Sequence, residues 1–161
     1  MKEFNYSEQL NKLVFFFAEN SLPNEEWKEL KELEGIYFIS SKGRIVSLYY
    51  DLPLVMSPFI DNNGYKRVTI CKHHKRIHRL VAEAFIENDN PKEKKVVHHK
   101  DGNKRNNDVS NLEWVTYSMN TKEYYNLKKQ KQKETEENDG NSSNNKKSTE
   151  SKEDSSKEAK H

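Results

Sequence analysis

The feature that most constrains this chain is a segment of 25 residues, numbered 96–120. It opens with two valines and two adjacent histidines, His98 and His99, and continues into an Asp-Gly turn and a loop rich in asparagine. An apolar run at 112–116 follows, and then a polar segment that carries Asn120. Short apolar runs on either side of a turn and an Asn-rich loop predict two strands, and the polar segment predicts a helix. Such a strand–loop–strand–helix unit is too small to fold without neighbouring packing.

The spacing of the polar residues in this segment is typical of a known family. Asn111 stands twelve positions after His99, and Asn120 stands twenty-one positions after it. The stretch VHHKDGNKRNNDVSNLEWVT resembles the motif of HNH endonucleases, in particular the class found in phage and intron homing endonucleases, at nearly every fixed position. The resemblance implies a ββα-metal (His-Me) finger and a metal-dependent enzyme that cleaves DNA phosphodiester bonds, either of the homing type or as a nicking enzyme.

The resemblance also implies roles for four residues of the motif. His99 would act as the general base, since an imidazole has a pKa near neutrality. Asn111 would hold the loop and orient the His99 imidazole. His98 and Asn120 would bind the metal, although some relatives have Asp where this chain has His98, and an imidazole makes the site less anionic and softer. Mg²⁺ is the first choice for the ion, and Mn²⁺ and Zn²⁺ stay open as alternatives.

Two stretches upstream extend the resemblance. Residues 64–86, which predict a strand pair followed by a helix, resemble the segment that precedes the finger in the same endonucleases. Residues 25–48 contain two β-rich runs joined by a Gly-containing turn, and resemble a small nuclease-associated DNA-binding module. The expected fold class is therefore α+β, with a β-rich DNA-binding module followed by a ββα-metal finger.

Basic residues are concentrated in the middle of the chain. Residues 35–122 hold fifteen Lys and Arg against nine Asp and Glu, whereas residues 1–34 hold four Lys and eight Glu. A basic core behind an acidic leading segment suits a polyanion, and the expected partner is double-stranded DNA. The expected phosphate contacts are seven basic side chains of the hairpin, the helix and the finger loop: Lys66, Arg67, Lys75, Arg76, Arg79, Lys104 and Arg105.

Composition and pattern divide the chain into four parts. Residues 1–22 carry an apolar stripe and predict a helix that caps the core, with a partner-binding helix as the alternative; the stripe comprises Phe4, Leu10, Leu13, Val14 and Phe17. The DNA-binding module is expected at 23–60 and the endonuclease domain at 61–127. Residues 128–161 hold no aromatic residue and no aliphatic one except Ala159, so a disordered charged tail is expected there.

Other histidines and the single cysteine admit more than one interpretation. One cysteine, Cys71, cannot form an intramolecular disulfide framework or a Cys-based zinc site. His73 and His74 are expected at an exposed hairpin tip, with phosphate contact as the functional alternative. His78 is expected to begin its helix and pack against the finger in a structural role, with catalysis as the alternative. Trp27 and Trp114 are expected in the core.

The sequence admits two rival functions. A catalytically silent DNA-binding or regulatory protein could retain the finger as a scaffold, although in a degenerate enzyme His99 or Asn120 would be replaced. An RNA-binding protein would carry aromatic stacking residues on a sheet, and that pattern is missing.

Bulk features bear on location and assembly. No apolar run approaches the length of a membrane span, and no small-residue cleavage site follows the apolar cluster near the start. An intracellular protein is therefore expected. A monomer is favoured over a dimer because no dimerisation heptad is present, and one catalytic centre per chain would cut one strand at a time.

Overall fold

The computed structural model describes residues 6–31, 35–49 and 52–144. The chain divides into two units, Met1–Asn120 and Thr121–His161. The first unit contains two complete helices, a set of short strands and the start of a third helix. In chain order the elements are α1 (Tyr6–Asn20), β1 (Trp27–Glu29), β2 (Tyr37–Ser40), β3 (Ile45–Ser47), β4 (Leu54–Val55), β5 (Phe59–Ile60), β6 (Lys66–Ile70), β7 (His73–Arg76), α2 (Ile77–Phe85), β8 (Val96–His99), a 3₁₀ turn (Val109–Asn111), β9 (Leu112–Val115) and α3 (Tyr117–Asn144).

The strands form three antiparallel sheets in the described part of the chain. β1, β2, β3 and β4 make a four-stranded meander, β5, β6 and β7 make a three-stranded one, and β8 pairs with β9. The β2–β3 hairpin pairs Phe38 with Val46 and turns at Gly43, where φ is +77°. Only glycine adopts such a φ without strain, which is why a glycine stands at this turn. The α+β fold class predicted from the sequence is confirmed.

The main core lies on α2 and joins the sheets to one another. Ile77, Leu80, Val81 and Ala82 of α2 are buried, because helical spacing puts them on the side that faces the sheets. Residues from each sheet pack into this same cluster: Tyr37, Ile39, Ile45, Val68, Ile70, Val97 and Leu112. α2 contacts β1, β2, β6, β7, β8, β9 and the 3₁₀ turn.

A second, smaller core lies on the opposite face of the first sheet. Alternation along β2 and β3 sends Ile39 and Ile45 to the main core and Phe38 and Val46 to this one. α1 covers it with Leu13, Phe16 and Phe17, and the Phe17 ring stacks on Trp27 with centroids 4.5 Å apart. The expected capping helix is therefore present, but its buried side differs from the predicted stripe: Leu10 and Val14 are 40% and 62% exposed, and Phe4 lies outside the described residues.

The β6–β7 hairpin differs from the sequence prediction at its turn. His73 and His74 belong to β7 and pair with Ile70 and Thr69, whereas they were expected at the tip. The turn is formed instead by Cys71 and Lys72, which both have positive φ, +48° and +66°. A run of histidines and lysines carries no signal that distinguishes a strand end from a turn, which explains the shift of two residues. Both histidines are exposed, as predicted.

The second unit contains the continuation of α3. The helix runs through Asn144, so residues 128–144 are helical where the sequence predicts a disordered tail; residues 145–161 lie outside the described residues. Lys, Gln and Glu are strong helix formers, so local propensity accounts for a helix in a segment that has no apolar face. Within the described ranges, no helix combines the length and the apolar character needed to cross a membrane.

Candidate active site

The β8–β9 sheet places His98 and His99 at the end of β8. Their backbones pair with Glu113 and Leu112 of β9, and both imidazoles are buried, with 8% and 5% of their surface exposed. Successive side chains of a strand point to opposite faces of the sheet. The two rings therefore leave β8 in opposite directions and meet different partners.

Asn120 reaches His98 from the first turn of α3. Its backbone N donates to the carbonyl oxygen of Thr116 at 3.0 Å, which closes that turn. Its side-chain Oδ1 lies 3.1 Å from Nδ1 of His98. The structure thus brings together the two residues that the sequence predicts to bind a metal.

The His98–Asn120 pair has the donor chemistry of a sparse metal site. An imidazole nitrogen and an amide oxygen are both donors to divalent first-row cations, and the amide oxygen suits Mg²⁺. In the described ranges, no three His, Cys, Asp or Glu side chains are grouped so as to hold a metal ion. An ion at His98 and Asn120 would complete its shell with water and phosphate, which is how Mg²⁺ commonly binds at phosphate substrates. The residues present fit such an ion.

His99 makes its hydrogen bond with Asn107. Nε2 of His99 lies 3.1 Å from Oδ1 of Asn107, which is itself only 4% exposed. With the amide oxygen facing the ring, Nε2 carries the proton and donates it, and Nδ1 keeps its lone pair. Burial lowers the pKa of His99, although the Asn107 hydrogen bond and the charge of Asp101 act in the opposite direction. A neutral imidazole with a free Nδ1 is what a general base requires.

The loop between β8 and the 3₁₀ turn is held together by Asp101. Its Oδ1 accepts from the backbone N of Asn103 at 2.7 Å and from Nδ2 of Asn111 at 3.0 Å, and its Oδ2 accepts from Nδ2 of Asn106 at 2.8 Å. Burial raises the pKa of the Asp101 carboxyl, but these hydrogen bonds prevail and the pKa is lowered. The Asp101 carboxylate therefore links three residues of the loop and of the 3₁₀ turn by hydrogen bonds.

Asn111 performs one of the two tasks assigned to it from the sequence. Its Nδ2 also donates to the carbonyl oxygen of Asn106 at 2.9 Å, and its Oδ1 accepts from the backbone N of Asp101 at 3.1 Å, so it holds the loop. The expectation that Asn111 orients the His99 imidazole is wrong, because the residue that accepts the hydrogen bond of that ring is Asn107. Sequence spacing alone does not separate the two asparagines.

A second buried histidine, His78, lies beside His99. Their ring centroids are 5.0 Å apart, and Tyr65 packs on both rings at 4.8 Å and 6.0 Å. Burial lowers the pKa of His78 to about 3, with further lowering from the neighbouring His99 imidazole and from the positive charges of Arg76 and Arg79. Its Nδ1 has no hydrogen-bond partner among the described residues. His78 stands at the start of α2 and packs against the finger, as the sequence predicts.

The predicted DNA contacts on the β6–β7 hairpin lie on two faces of its sheet. Arg67 pairs with Arg76 across the strands, and both guanidinium groups face the Asp61 carboxylate, with Nε to Oδ2 distances of 2.8 Å and 3.9 Å. Strand alternation turns Lys66 and Lys75 to the other face, where Lys75 lines a cavity of about 550 Å³. The four basic residues are therefore not one continuous patch.

Several of the predicted DNA contacts lie over aromatic rings. Lys104 lies over the Tyr65 ring at 4.9 Å and donates to the carbonyl oxygen of Asn63, and Arg76 lies over the same ring at 5.0 Å. Arg79 lies over the Trp114 ring at 5.8 Å. Arg105 is exposed in the loop. Lys104 and Arg76 thus both lie over the Tyr65 ring, which itself packs on His99.

Two residues of this centre, Asn107 and Tyr65, were not predicted from the sequence. Asn107 lies in the loop described only as rich in asparagine, and Tyr65 lies in the predicted strand pair of residues 64–86. The tandem Asn106-Asn107 in the loop was a usable signal for Asn107, since two adjacent amides in one motif invite separate roles. No local signal pointed to Tyr65, because its packing on His99 is a long-range contact.

Comparison with known proteins covers both halves of the first unit. Residues 75–122 match the model of the HNH endonuclease family, and residues 25–71 match the NUMOD4 motif. The chain carries an HNH endonuclease domain preceded by a NUMOD4 motif. The HNH domain spans α2, both strands of the β8–β9 sheet and Asn120, and therefore includes the candidate centre.

Individual relatives agree with this assignment. The DNA endonuclease I-HmuI of Bacillus phage SP01 is 41% identical over 99 residues, which are 59% of this chain and 55% of that protein. An uncharacterized HNH endonuclease of Acanthamoeba polyphaga mimivirus is 40% identical over 107 residues, 62% of this chain and 26% of that protein. This chain therefore spans about half or less of these relatives.

A solved structure shares the fold. It is described as DNA binding and cleavage by the HNH homing endonuclease I-HmuI, and it matches with a TM-score of 0.53 and 38% identity. The match covers 60% of this chain and 56% of that one. The matched part of this chain therefore has the architecture found in that structure.

Proposed function

We propose that this protein is a metal-dependent DNA endonuclease, of the homing or nicking type, in which His99 is the general base. The observation that carries the proposal is the state of His99. It is a buried, neutral imidazole whose Nε2 is engaged by Asn107, and it stands next to the His98–Asn120 pair. Base and cation ligands on adjacent residues can act on one phosphate.

The chemistry assigned to this chain's residues is hydrolysis of a phosphodiester. Nδ1 of His99 accepts a proton from the attacking water, the water oxygen bonds to phosphorus, and the bond from phosphorus to the 3′ oxygen breaks. The departing 3′ oxygen takes up a proton from solvent water. The products are a 5′-phosphate and a 3′-hydroxyl. A divalent cation held by His98 and Asn120 would neutralise charge on the phosphoryl and leaving oxygens. Mg²⁺ is the proposed ion, with Mn²⁺ or Zn²⁺ as the alternatives that an imidazole ligand admits.

The proposed substrate is double-stranded DNA. The HNH domain matches relatives that include a DNA endonuclease, and the middle of the chain is basic. Lys66, Arg67, Lys75, Arg76, Arg79, Lys104 and Arg105 are proposed to contact phosphates. With a single centre of this kind in the described residues, a monomer cuts one strand in each event, and a double-strand break needs two copies or two events.

The experiment that tests the proposal is cleavage of supercoiled plasmid with Mg²⁺, with Mn²⁺ or with EDTA. Relaxed or linear product is expected with metal and none with EDTA. The His99→Ala variant is expected to lose cleavage by about 10²- to 10⁴-fold while it still shifts DNA on a gel. DNA binding without cleavage under every metal condition would instead identify a silent DNA-binding protein.

A further inference from the structure

The turn between β2 and β3 lies against the loop that carries Asn107. Its residues, 40–43, belong to the NUMOD4 motif, whereas the loop belongs to the HNH domain. The backbone N of Val109 donates to the carbonyl oxygen of Ser41 at 2.8 Å. The ammonium group of Lys42 lies 2.6 Å from Oδ2 of Asp108. Asn107 is thus followed directly by two residues that are tied to the upstream turn.

Gly43 of the same turn lies directly against Asn107. A Cβ atom at position 43 would lie 2.8 Å from Cβ of Asn107 and 3.3 Å from its carbonyl oxygen. The first distance is shorter than real Cβ contacts allow, and the atom it meets is fixed to the backbone. Asn107 therefore occupies space that exists only because residue 43 has no side chain.

The turn itself is anchored, so it can act as a support. Ser41 is held at its backbone N by the carbonyl oxygen of Glu26, at 2.8 Å, and its Oγ accepts from the backbone N of Glu26 at 3.0 Å. Ser40 Oγ accepts from the backbone N of Arg44 at 2.9 Å inside the turn. Ile77 of α2 packs against Gly43 as well, which joins the turn to the main core.

From these contacts we infer that the β2–β3 turn of the NUMOD4 motif is a positioning element of the active centre, which fixes Asn107 and through it the tautomer and ring plane of His99. The inference rests on the proposed function in so far as His99 is the base. A motif placed before a nuclease domain would then supply part of the catalytic geometry, in addition to any contact with DNA. Gly43 and Lys42 are its positioning residues.

The decisive variant is Gly43→Ala, and the chain offers a matched control. Gly64 also closes a hairpin turn, has nearly the same φ, +83°, and an added Cβ there would meet only Cδ of Lys104 at 3.8 Å. Gly64→Ala therefore introduces the same backbone strain without a collision with Asn107. Both variants are expected to lose thermal stability, Gly43→Ala more because of the added collision, but only Gly43→Ala is expected to disturb His99.

The first measurement is the imidazole ¹H–¹⁵N spectrum of the full chain, without metal or DNA, with His99 assigned by the signal lost in His99→Ala. The wild type and Gly64→Ala are expected to show the Nε2-protonated tautomer of His99. Gly43→Ala is expected to shift His99 toward a mixture of tautomers. An unchanged His99 signal in folded Gly43→Ala, or an equal change in Gly64→Ala, would overturn the inference.

The second measurement separates chemistry from binding in single-turnover cleavage. Gly43→Ala is expected to lower the cleavage rate by about tenfold or more, since small displacements of catalytic groups are costly, with less than about a twofold change in Kd for the same DNA. A loss of DNA affinity that accounts for the whole loss of rate would place the turn in DNA binding alone and contradict the inference.

Lys42 provides a variant that avoids backbone strain. Lys42→Met removes the ion pair to Asp108 but keeps the aliphatic stem, and Lys42→Arg keeps the charge. The rate is expected to fall several-fold in Lys42→Met and to recover in Lys42→Arg, at equal DNA affinity. If the proposed function itself fails, His99→Ala will cleave as the wild type does, while the tautomer spectrum still decides whether the turn positions His99.

Discussion

The imidazole of His78 packs against that of His99, with ring centroids 5.0 Å apart and an angle of 62° between their planes. Both side chains are at least nine-tenths buried. A pair of buried imidazoles at this distance cannot both carry a proton without strong repulsion. The low pKa of His78 means that it stays neutral beside His99 throughout the physiological range.

Removal of the His78 imidazole is expected to make the free energy of unfolding depend less steeply on pH in the acid range. The pKa of His78 is about 3 in the folded chain and near the ordinary imidazole value of 6.5 when unfolded, so as the pH falls below 6.5 the unfolded state takes up the proton first. The contribution of the neutral His78 to the free energy of unfolding is therefore fully present above pH 6.5 and is lost as the pH falls toward 3. Between pH 7 and pH 5 this amounts to about 2 kcal/mol.

Urea unfolding of the wild type and of His78→Gln at a series of pH values checks this expectation. The wild type should lose stability over that range, and the variant, although less stable at pH 7, should lose clearly less on acidification. The groups that face His78 are His99, Arg76, Arg79 and Asp61, and they are retained in both proteins. Parallel pH curves for the two proteins would show that His78 does not carry the effect.

Asn107 and Asn111 are expected to give different phenotypes. Asn107→Ala removes the hydrogen bond to the His99 ring, so the cleavage rate should fall by about tenfold or more, with a modest loss of stability. Asn111→Ala removes the hydrogen bonds of Asn111 to the carboxylate and backbone N of Asp101 and to the carbonyl oxygen of Asn106, which costs about 1–3 kcal/mol of stability. Single-turnover cleavage, measured beside thermal unfolding, distinguishes them; a loss of rate proportional to the loss of stability in both would reject separate roles.

His98→Asp is expected to change the metal requirement. A carboxylate is a harder, anionic donor, so the Mg²⁺ concentration for half-maximal cleavage should fall several-fold and the relative advantage of Mn²⁺ should shrink. His98→Ala should raise the concentrations of Mg²⁺ and of Mn²⁺ that give half-maximal cleavage. Cleavage rates titrated against Mg²⁺ and against Mn²⁺ provide the measurement. Identical titrations for the wild type and both variants would remove His98 from the metal site.

The proposed phosphate contacts predict a salt signature. Arg105→Ala should weaken binding uniformly across DNA sequences, and should make the slope of log K against log salt less steep by about 0.9, the value for one phosphate contact on duplex DNA. Fluorescence anisotropy at several salt concentrations measures it. Lys12→Ala, on the helix α1 and remote in sequence from the finger, is the matched control and should leave the slope unchanged. Equal slopes for Arg105→Ala and the wild type would exclude Arg105 from phosphate contact.

Local patterns predicted the parts of the centre that are close along the chain or follow regular geometry. The His98–Asn120 pair could be anticipated because a strand, a loop, a strand and a helix start have known lengths. The partner of His99 could not, because several asparagines share one loop and only the folded hydrogen-bond network assigns Asn107 to the ring. The same applies to Tyr65 and to Gly43, which reach the centre through contacts between residues distant in sequence. Disorder was predicted for the tail because it has almost no apolar residues to bury. That argument leaves out helix propensity, and α3 in fact extends through Asn144.

The shared core on α2 has a consequence for how such chains can be recombined. Ile39 and Ile45, from the NUMOD4 motif, lie in the same buried cluster as Val97 and Leu112 of the HNH domain. Neither part has a complete hydrophobic core of its own. An HNH segment moved into a new protein would therefore lack the core residues that the NUMOD4 motif supplies. A successful transplant must bring the β2–β3 hairpin along or rebuild its apolar side. The folding unit that supports the candidate centre is therefore the NUMOD4 motif and the HNH domain together, joined at a helix of nine residues.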